Sequence, residues 1–373
     1  MISLPDPTLF FETRFVTPHL KLMPANSLSF EELYSHYFEV GFLYPEKLKK
    51  LSPHIELIRE NWEKGWAGGR GVLWTLVYRE ERFNKMGTLS AWRTTAQGWQ
   101  SQHLTSDQHA AGVLCLLLSA QDEGVYLDYD CAQNWYSPTN SFAMKIYGRM
   151  DRVLGEDKAS SHLLNYIMID PTPLRSVSLD FSVIRCKKKD IANVKFIAEQ
   201  CRGSAYCMAE ELNSCDFELS GLDSMYQKLG LRRKRFVWIA QDKATGSPKG
   251  MVVAHRGPFG FNFSFLENRC DIMVCPELNL TQRKEICRIL LAKAARAYFD
   301  QGAFPEYPIH HLVVLADNTC VGPLSDLGGV KTRQYYQGLW LNKGFKMWKR
   351  YMMRVFSPVI KRYEKQSPIY NPA

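Results

Sequence analysis

The chain has 373 residues, of which 46% are hydrophobic and 23% charged, with a formal net charge of +9; this is ordinary globular composition, long enough for two domains, and its positive surplus favours anionic partners. Its ten cysteines contain no C-x-x-C, which excludes a zinc ribbon or a dithiol redox motif and reads as reduced, mostly buried thiols. No run of about 18 apolar residues offers a membrane span, and Met1 to Pro24 lacks the apolar stretch of a secretory signal, so a cytoplasmic protein is expected.

Along the chain, Leu20–Met23 reads as a strand followed by a helical region. Val72–Tyr78 is β-rich, Arg79–Lys85 is polar, and Gly87–Arg93 completes a hairpin. Ala110–Ala120 is an apolar helix, Val125–Tyr129 a strand after it, and Tyr166–Ile169 a short closing strand. Asp170-Pro-Thr-Pro173 breaks regular structure. The pattern then begins again with Phe181–Ile184, a hairpin from Phe236–Ala240 to Gly250–Arg256, and a helix over Arg283–Phe299. Ile286, Leu290, Ala294 and Ala297 share one face of that helix. Strands at His311–Leu315 and Tyr351–Arg354 follow, and the chain from Ser357 reads as a basic, proline-bearing tail.

The two passes match in detail. Both hairpins carry a Trp in the first strand (Trp74, Trp238), a Gly opening the second (Gly87, Gly250), an Ala four residues on (Ala91, Ala254) and an Arg six on (Arg93, Arg256). Such self-similarity predicts a tandem α/β protein. The expected units are 1–170 and 176–356, joined by a linker at 171–175 and followed by the tail 357–373. Each would be a mixed, mostly antiparallel sheet flanked by helices.

Asn140-Ser-Phe-Ala143-Met-Lys-Ile-Tyr147 places an Asn, an Ala and a Tyr at positions 0, 3 and 7 of a helix, and Leu339-Trp340-Leu-Asn-Lys-Gly344-Phe345 ends the second half. With the order of elements, these resemble the GNAT family of acyl-CoA N-acyltransferases. The resemblance implies that Tyr147 protonates the departing thiolate and that Asn140 steadies the pantetheine arm. The family's pyrophosphate loop, Arg/Gln-x-x-Gly-x-Gly/Ala, is matched only in part. His109-Ala-Ala-Gly112-Val-Leu114 keeps one glycine, so His109 and Gly112 would receive the pyrophosphate. Gln282-Arg-Lys-Glu285-Ile-Cys287 has lost both, and Trp340 stands where the second half would have its Tyr. The C-terminal unit thus reads as a degenerate copy.

The leading expectation is an N-acyltransferase using acetyl-CoA or another acyl-CoA on a small-molecule or peptide amine, with its site in the N-terminal half. A base is needed for the amine. Gly87 to Leu104 holds no acid, which leaves Asp107, Asp128 and Asp130 in this half and Glu267 and Asp271 in the other. The alternative is a catalytically inactive module, a pseudoenzyme, that binds a nucleotide or a protein. It draws on Arg232, Arg233, Lys234 and Arg235, a run that could clasp phosphates. Nucleic acid ranks last, since no motif accompanies the charge. Phe259-Gly-Phe-Asn-Phe-Ser-Phe265 would place four rings on one face of an extended strand, as a half-buried strand or interdomain contact before a ligand pocket. His310-His311 lacks a third metal ligand.

Overall fold

The computed structural model describes residues 20–23, 28–80, 85–107, 110–126, 129–299 and 308–366. The first half contributes β1 (Leu20–Met23), α1 (Phe30–Glu39), α2 (Pro45–Leu51), α3 (Ile55–Ala67), β2 (Leu73–Glu80), β3 (Lys85–Arg93) and β4 (Gly98–Ser106). It continues with α4 (Ala110–Tyr126), β5 (Cys131–Tyr136), α5 (Ser141–Ile146), α6 (Met150–Leu154) and β6 (Ala159–Ile169). The second half repeats the scheme with β7 (Phe181–Arg185), α7 (Ile191–Ala209), α8 (Ser220–Gln227), β8 (Lys234–Asp242), β9 (Pro248–Arg256) and β10 (Arg269–Val274). Then come α9 (Leu280–Tyr298), β11 (Leu312–Ala316), α10 (Val321–Ser325), β12 (Val330–Leu341), α11 (Asn342–Val355) and α12 (Ser357–Gln366).

Local chemistry sets several of these boundaries. Ser29 and Glu32 form a reciprocal capping box at the start of α1, and Asn279 and Gln282 do the same for α9. Asp242 accepts from the amides of Ala244 and Thr245 to turn the β8–β9 hairpin, and Gly246 there takes φ +71°.

The twelve strands of the described residues join one sheet in the order β1-β2-β3-β4-β5-β12-β6-β11-β10-β9-β8-β7. The sheet is mostly antiparallel, as expected; β4/β5 and β10/β11 are parallel pairs. Read outward from the β12/β6 seam, the two sides match strand for strand. The closing strands are exchanged, so that β12 of the second half lies beside β5 and β6 of the first lies beside β11. β6 and β12 pair antiparallel from Val330↔Met168 to Trp340↔Ala159, so the two sheets are fused into one.

Three local expectations are corrected. Helix α4 runs through Tyr126, and the strand after it is Cys131–Tyr136, not Val125–Tyr129. Tyr351–Arg354 lies in α11, whose buried Phe345, Trp348 and Met352 follow helical spacing; the closing strand is β12. The chain after Ser357 forms α12 up to Gln366.

The helices form layers on both faces of the sheet. On one face of the first half, α4, α5 and α11 cover Trp74, Leu76, Trp99, Tyr136 and Trp340. On the other, α1 and α3 pack with Phe259, Phe261, Phe263 and Phe265 over Val77, Trp92, Trp135 and Tyr335. The four rings therefore bridge the halves from a turn-rich loop rather than lining a strand. Asn61 and Trp62 fasten that loop by donating to the carbonyls of Phe259 and Gly260 at 2.9 and 2.8 Å.

Candidate functional site

Strands β4 and β5 pair only over Gly98↔Cys131, Trp99↔Ala132 and Gln100↔Gln133, and then part. Side chains span the start of the gap: Asn134 donates to the Ser101 carbonyl at 2.9 Å, and Gln102 to the Trp135 carbonyl at 2.6 Å. Beyond them opens a cleft of about 640 Å³ lined by residues of both halves. Its walls include Tyr136, Ala143 and Tyr147 from the α4/α5 face and Trp135, Phe263 and Tyr335 from the other, so the opening passes through the sheet. In the second half the residues beyond the corresponding parallel pairing, Ile272, Met273 and Val274, are buried in the core.

Tyr147 and Asn140 meet in this cleft. Tyr147 closes the C-terminus of α5 and stacks on Trp348 at 6.0 Å, with Tyr136 at 5.6 Å. Burial, and then the neighbouring Tyr136, push its phenol well above the ordinary value, so it is protonated at neutral pH and can donate. Asn140 is the N-cap of α5: its Oδ1 accepts from the Ala143 amide at 3.0 Å. The carbonyl oxygen is engaged by the helix, and the residue lines the cleft.

Gly112 does not offer an open phosphate cradle. A Cβ there would run into the Tyr78 ring, so the glycine lets α4 close onto a ring of β2. Gly112→Ala should therefore cost about 1–3 kcal/mol in a urea melt. Its effect should couple with, rather than add to, that of Tyr78→Leu; equal and additive losses would refute the contact. His109 lies outside the described residues. Gln282 to Cys287 is helix, not loop, so Glu285 does not occupy a phosphate position.

The basic run is also corrected. Arg233 and Arg235 are fully buried. Arg233 pairs with Glu267 and donates to the Thr94 carbonyl at 3.0 Å. Arg235 is spent on the carbonyls of Glu210 and Phe217. Arg232 is held by Asp223 at 3.1 Å, and Lys234 lies within β8. Strand alternation turns Arg233 and Arg235 inward together, so the four cations make no common surface.

Glu267 and Asp271 belong to the same interior. Arg269 reaches Asp271 at 3.0 Å and Glu210 at 2.8 Å, and its guanidinium lies 5.0 Å from the Trp135 ring centre of the other half. Glu210, His255 and Asp271 bring ligand atoms within 4.8 Å of one another, but Arg269 already supplies the positive charge to both carboxylates. Asp107, at the end of β4, accepts from the Met86 amide at 2.8 Å. Asp130 opens β5 at the end away from the cleft, and Asp128 lies outside the described residues.

The residue missed from sequence is His103. In β4 the register with β3 slips between Thr88↔Thr105 and Ser90↔Gln102, and His103 takes φ +56°. Before this bulge Trp99 faces α4; after it His103 faces the opposite layer, stacked 5.5 Å from Trp62 and tilted against Phe263 at 4.6 Å. It lines the cleft. Burial, then Lys47, hold its imidazole well below the ordinary histidine value, so it is neutral at pH 7. A non-glycine residue at positive φ is strained, and such strain clusters at functional sites.

No family model and no curated protein matches the chain. Solved structures of similar path include a Drosophila protein, 13% identical over 86% of this chain and 99% of that one, with a TM-score of 0.42. A tandem GNAT protein from the clavulanic acid biosynthesis pathway is 13% identical, covering 72% and 83%, with a TM-score of 0.36. Saccharomyces cerevisiae N-myristoyltransferase is 9% identical, covering 87% and 83%, with a TM-score of 0.37. The likeness is loose at these values.

Proposed function

We propose that the chain is an acyl-CoA-dependent N-acyltransferase of tandem GNAT-like build, with one active site in the cleft between β4 and β5. The observation that carries this reading is the parting of that parallel pair into an opening through the sheet. A protonated phenol, Tyr147, stands on one side, and a neutral imidazole, His103, on the other.

A thioester threaded from the α4/α5 face would bring its carbonyl to the gap. The amine, arriving from the other face, attacks that carbon. The N–C bond forms, and collapse of the tetrahedral intermediate breaks the C–S bond. His103 takes the proton lost by the amine and Tyr147 gives one to the thiolate, so the amide and a free thiol leave with charge balanced. In this reading a backbone amide of the bulge at His103 and Leu104, which have no register partner in β3, stabilises the oxyanion. Bringing the two reactants together from opposite faces supplies the rest by proximity.

Calorimetric titration with acetyl-CoA and longer acyl-CoAs tests the reading. One site per chain is expected, with thiol release on adding an amine. The packing of Tyr78 against Gly112 favours a second reading, in which the cleft binds a ligand without turnover. Saturable acyl-CoA binding with no thiol release from any amine would select it, and no binding at millimolar CoA would sink the first.

A further inference from the structure

We propose that the acceptor amine also carries a carboxylate, as an α-amino acid does, and that Lys47 and Arg333 hold it on the face of the sheet opposite Tyr147. This rests on the acyltransferase reading above.

The charge of the cleft is one-sided. Among the described residues no aspartate or glutamate lines it, yet Lys47 of α2 and Arg333 of β12 both do. Arg333 is aimed by two phenols, donating to the Tyr44 hydroxyl at 2.8 Å and the Tyr335 hydroxyl at 3.3 Å. Lys47 donates to the Phe42 carbonyl at 3.3 Å, and its Nζ sits 3.9 Å from the Phe42 ring centre. Neither cation meets a carboxylate among the described residues. Burial, then Arg333, lower the Lys47 ammonium to about 8. A pair of half-buried cations without a carboxylate partner favours binding an anion.

Position decides whose anion it is. The cofactor arm would enter along α4 and α5, where Tyr147 and Asn140 lie. The cations stand in the other layer, with Phe42, Phe263 and Tyr335. The Phe42 ring centre is 5.3 Å from that of His103, so the base and Lys47 lean on the same ring. A molecule with amine and carboxylate on one carbon can address both at once. The aromatic walls suit an apolar side chain between them.

The probes are acetyl-CoA with L-phenylalanine and with phenethylamine, its counterpart lacking the carboxylate. Thiol release should favour phenylalanine at least tenfold in kcat/KM. Lys47→Met and Arg333→Met should each raise its KM roughly ten- to a hundredfold, erase most of the preference for phenylalanine over phenethylamine, and leave acetyl-CoA affinity unchanged. Arg333→Lys should recover part of the loss. Equal use of the two amines would overturn the proposal. So would variants that weaken acetyl-CoA instead, since the cations would then serve the cofactor. If acetyl-CoA fails to bind while phenylalanine binds and both Met variants weaken it, the carboxylate site stands and the acyltransferase reading falls.

Discussion

Arg269→Met should lower the unfolding free energy by about 3–5 kcal/mol in urea, the range for removing one partner from a buried ion pair. The side chain has no exposure, and it answers two carboxylates that have none either, Asp271 at 3.0 Å and Glu210 at 2.8 Å. Methionine fills much of the volume but removes the guanidinium paired with both acids. Burial by itself would raise the Asp271 carboxyl; Arg269 next to it, with His255, outweighs that and holds it low. Without the guanidinium its folded-state value should rise above the unfolded one. The folded variant would then bind more protons than the unfolded chain, and its stability should increase as pH falls. The deficit should therefore be smaller at pH 5 than at pH 8. Arg59, exposed and paired with Glu56, is the contrast: Arg59→Met should leave the midpoint in place. A loss at Arg269 no larger than at Arg59 would refute the account.

His103→Asn should reduce kcat by roughly 10²–10⁴-fold, the usual contribution of a positioned acid or base, with acetyl-CoA affinity unchanged. Asparagine is chosen because it tolerates positive φ better than most side chains, so the bulge can persist while the imidazole is lost. His103→Val, β-branched at φ +56°, should instead disturb the strand and lower stability as well. The wild-type rate should hold from pH 8 down past 6.5 and fall only below it, because burial and Lys47 keep the imidazole neutral there. A wild-type kcat in His103→Asn, with the fold intact by circular dichroism, would remove His103 from the mechanism.

The hairpins, the repeat and the meeting of Asn140 with Tyr147 were legible because they are local. A turn between β-branched runs, or a spacing of three and seven along a short helix, carries its own signal. His103 was not legible. Simple alternation from Trp99 puts it on the α4 face, and only a one-residue bulge, set by pairing with β3, reverses that. The run Arg232–Arg235 misled for a related reason. Consecutive charges read as solvated, yet the sequence does not reveal that Glu267 waits for Arg233, or that backbone carbonyls wait for Arg235. Gly112 was read as making room for a phosphate when it makes room for Tyr78. A glycine marks a close approach without naming the visitor. Tyr351–Arg354 has strand-like composition, but the buried positions before it repeat every three to four residues, and that longer pattern prevailed.

The exchange of β6 and β12 makes each copy of the duplicated unit a tenant of the other. The second copy has a filled splay of its own, yet its last strand supplies Arg333 and Tyr335 to the first copy's cleft and walls β5 along its length. On the acyltransferase reading, a second copy with no site of its own would thereby be retained, since deleting it would strip an edge of the first half bare and take part of the cleft's floor with it. Selection on the surviving site would then act on residues some two hundred positions away in the chain, so the two copies can drift in sequence while remaining bound to a shared fate.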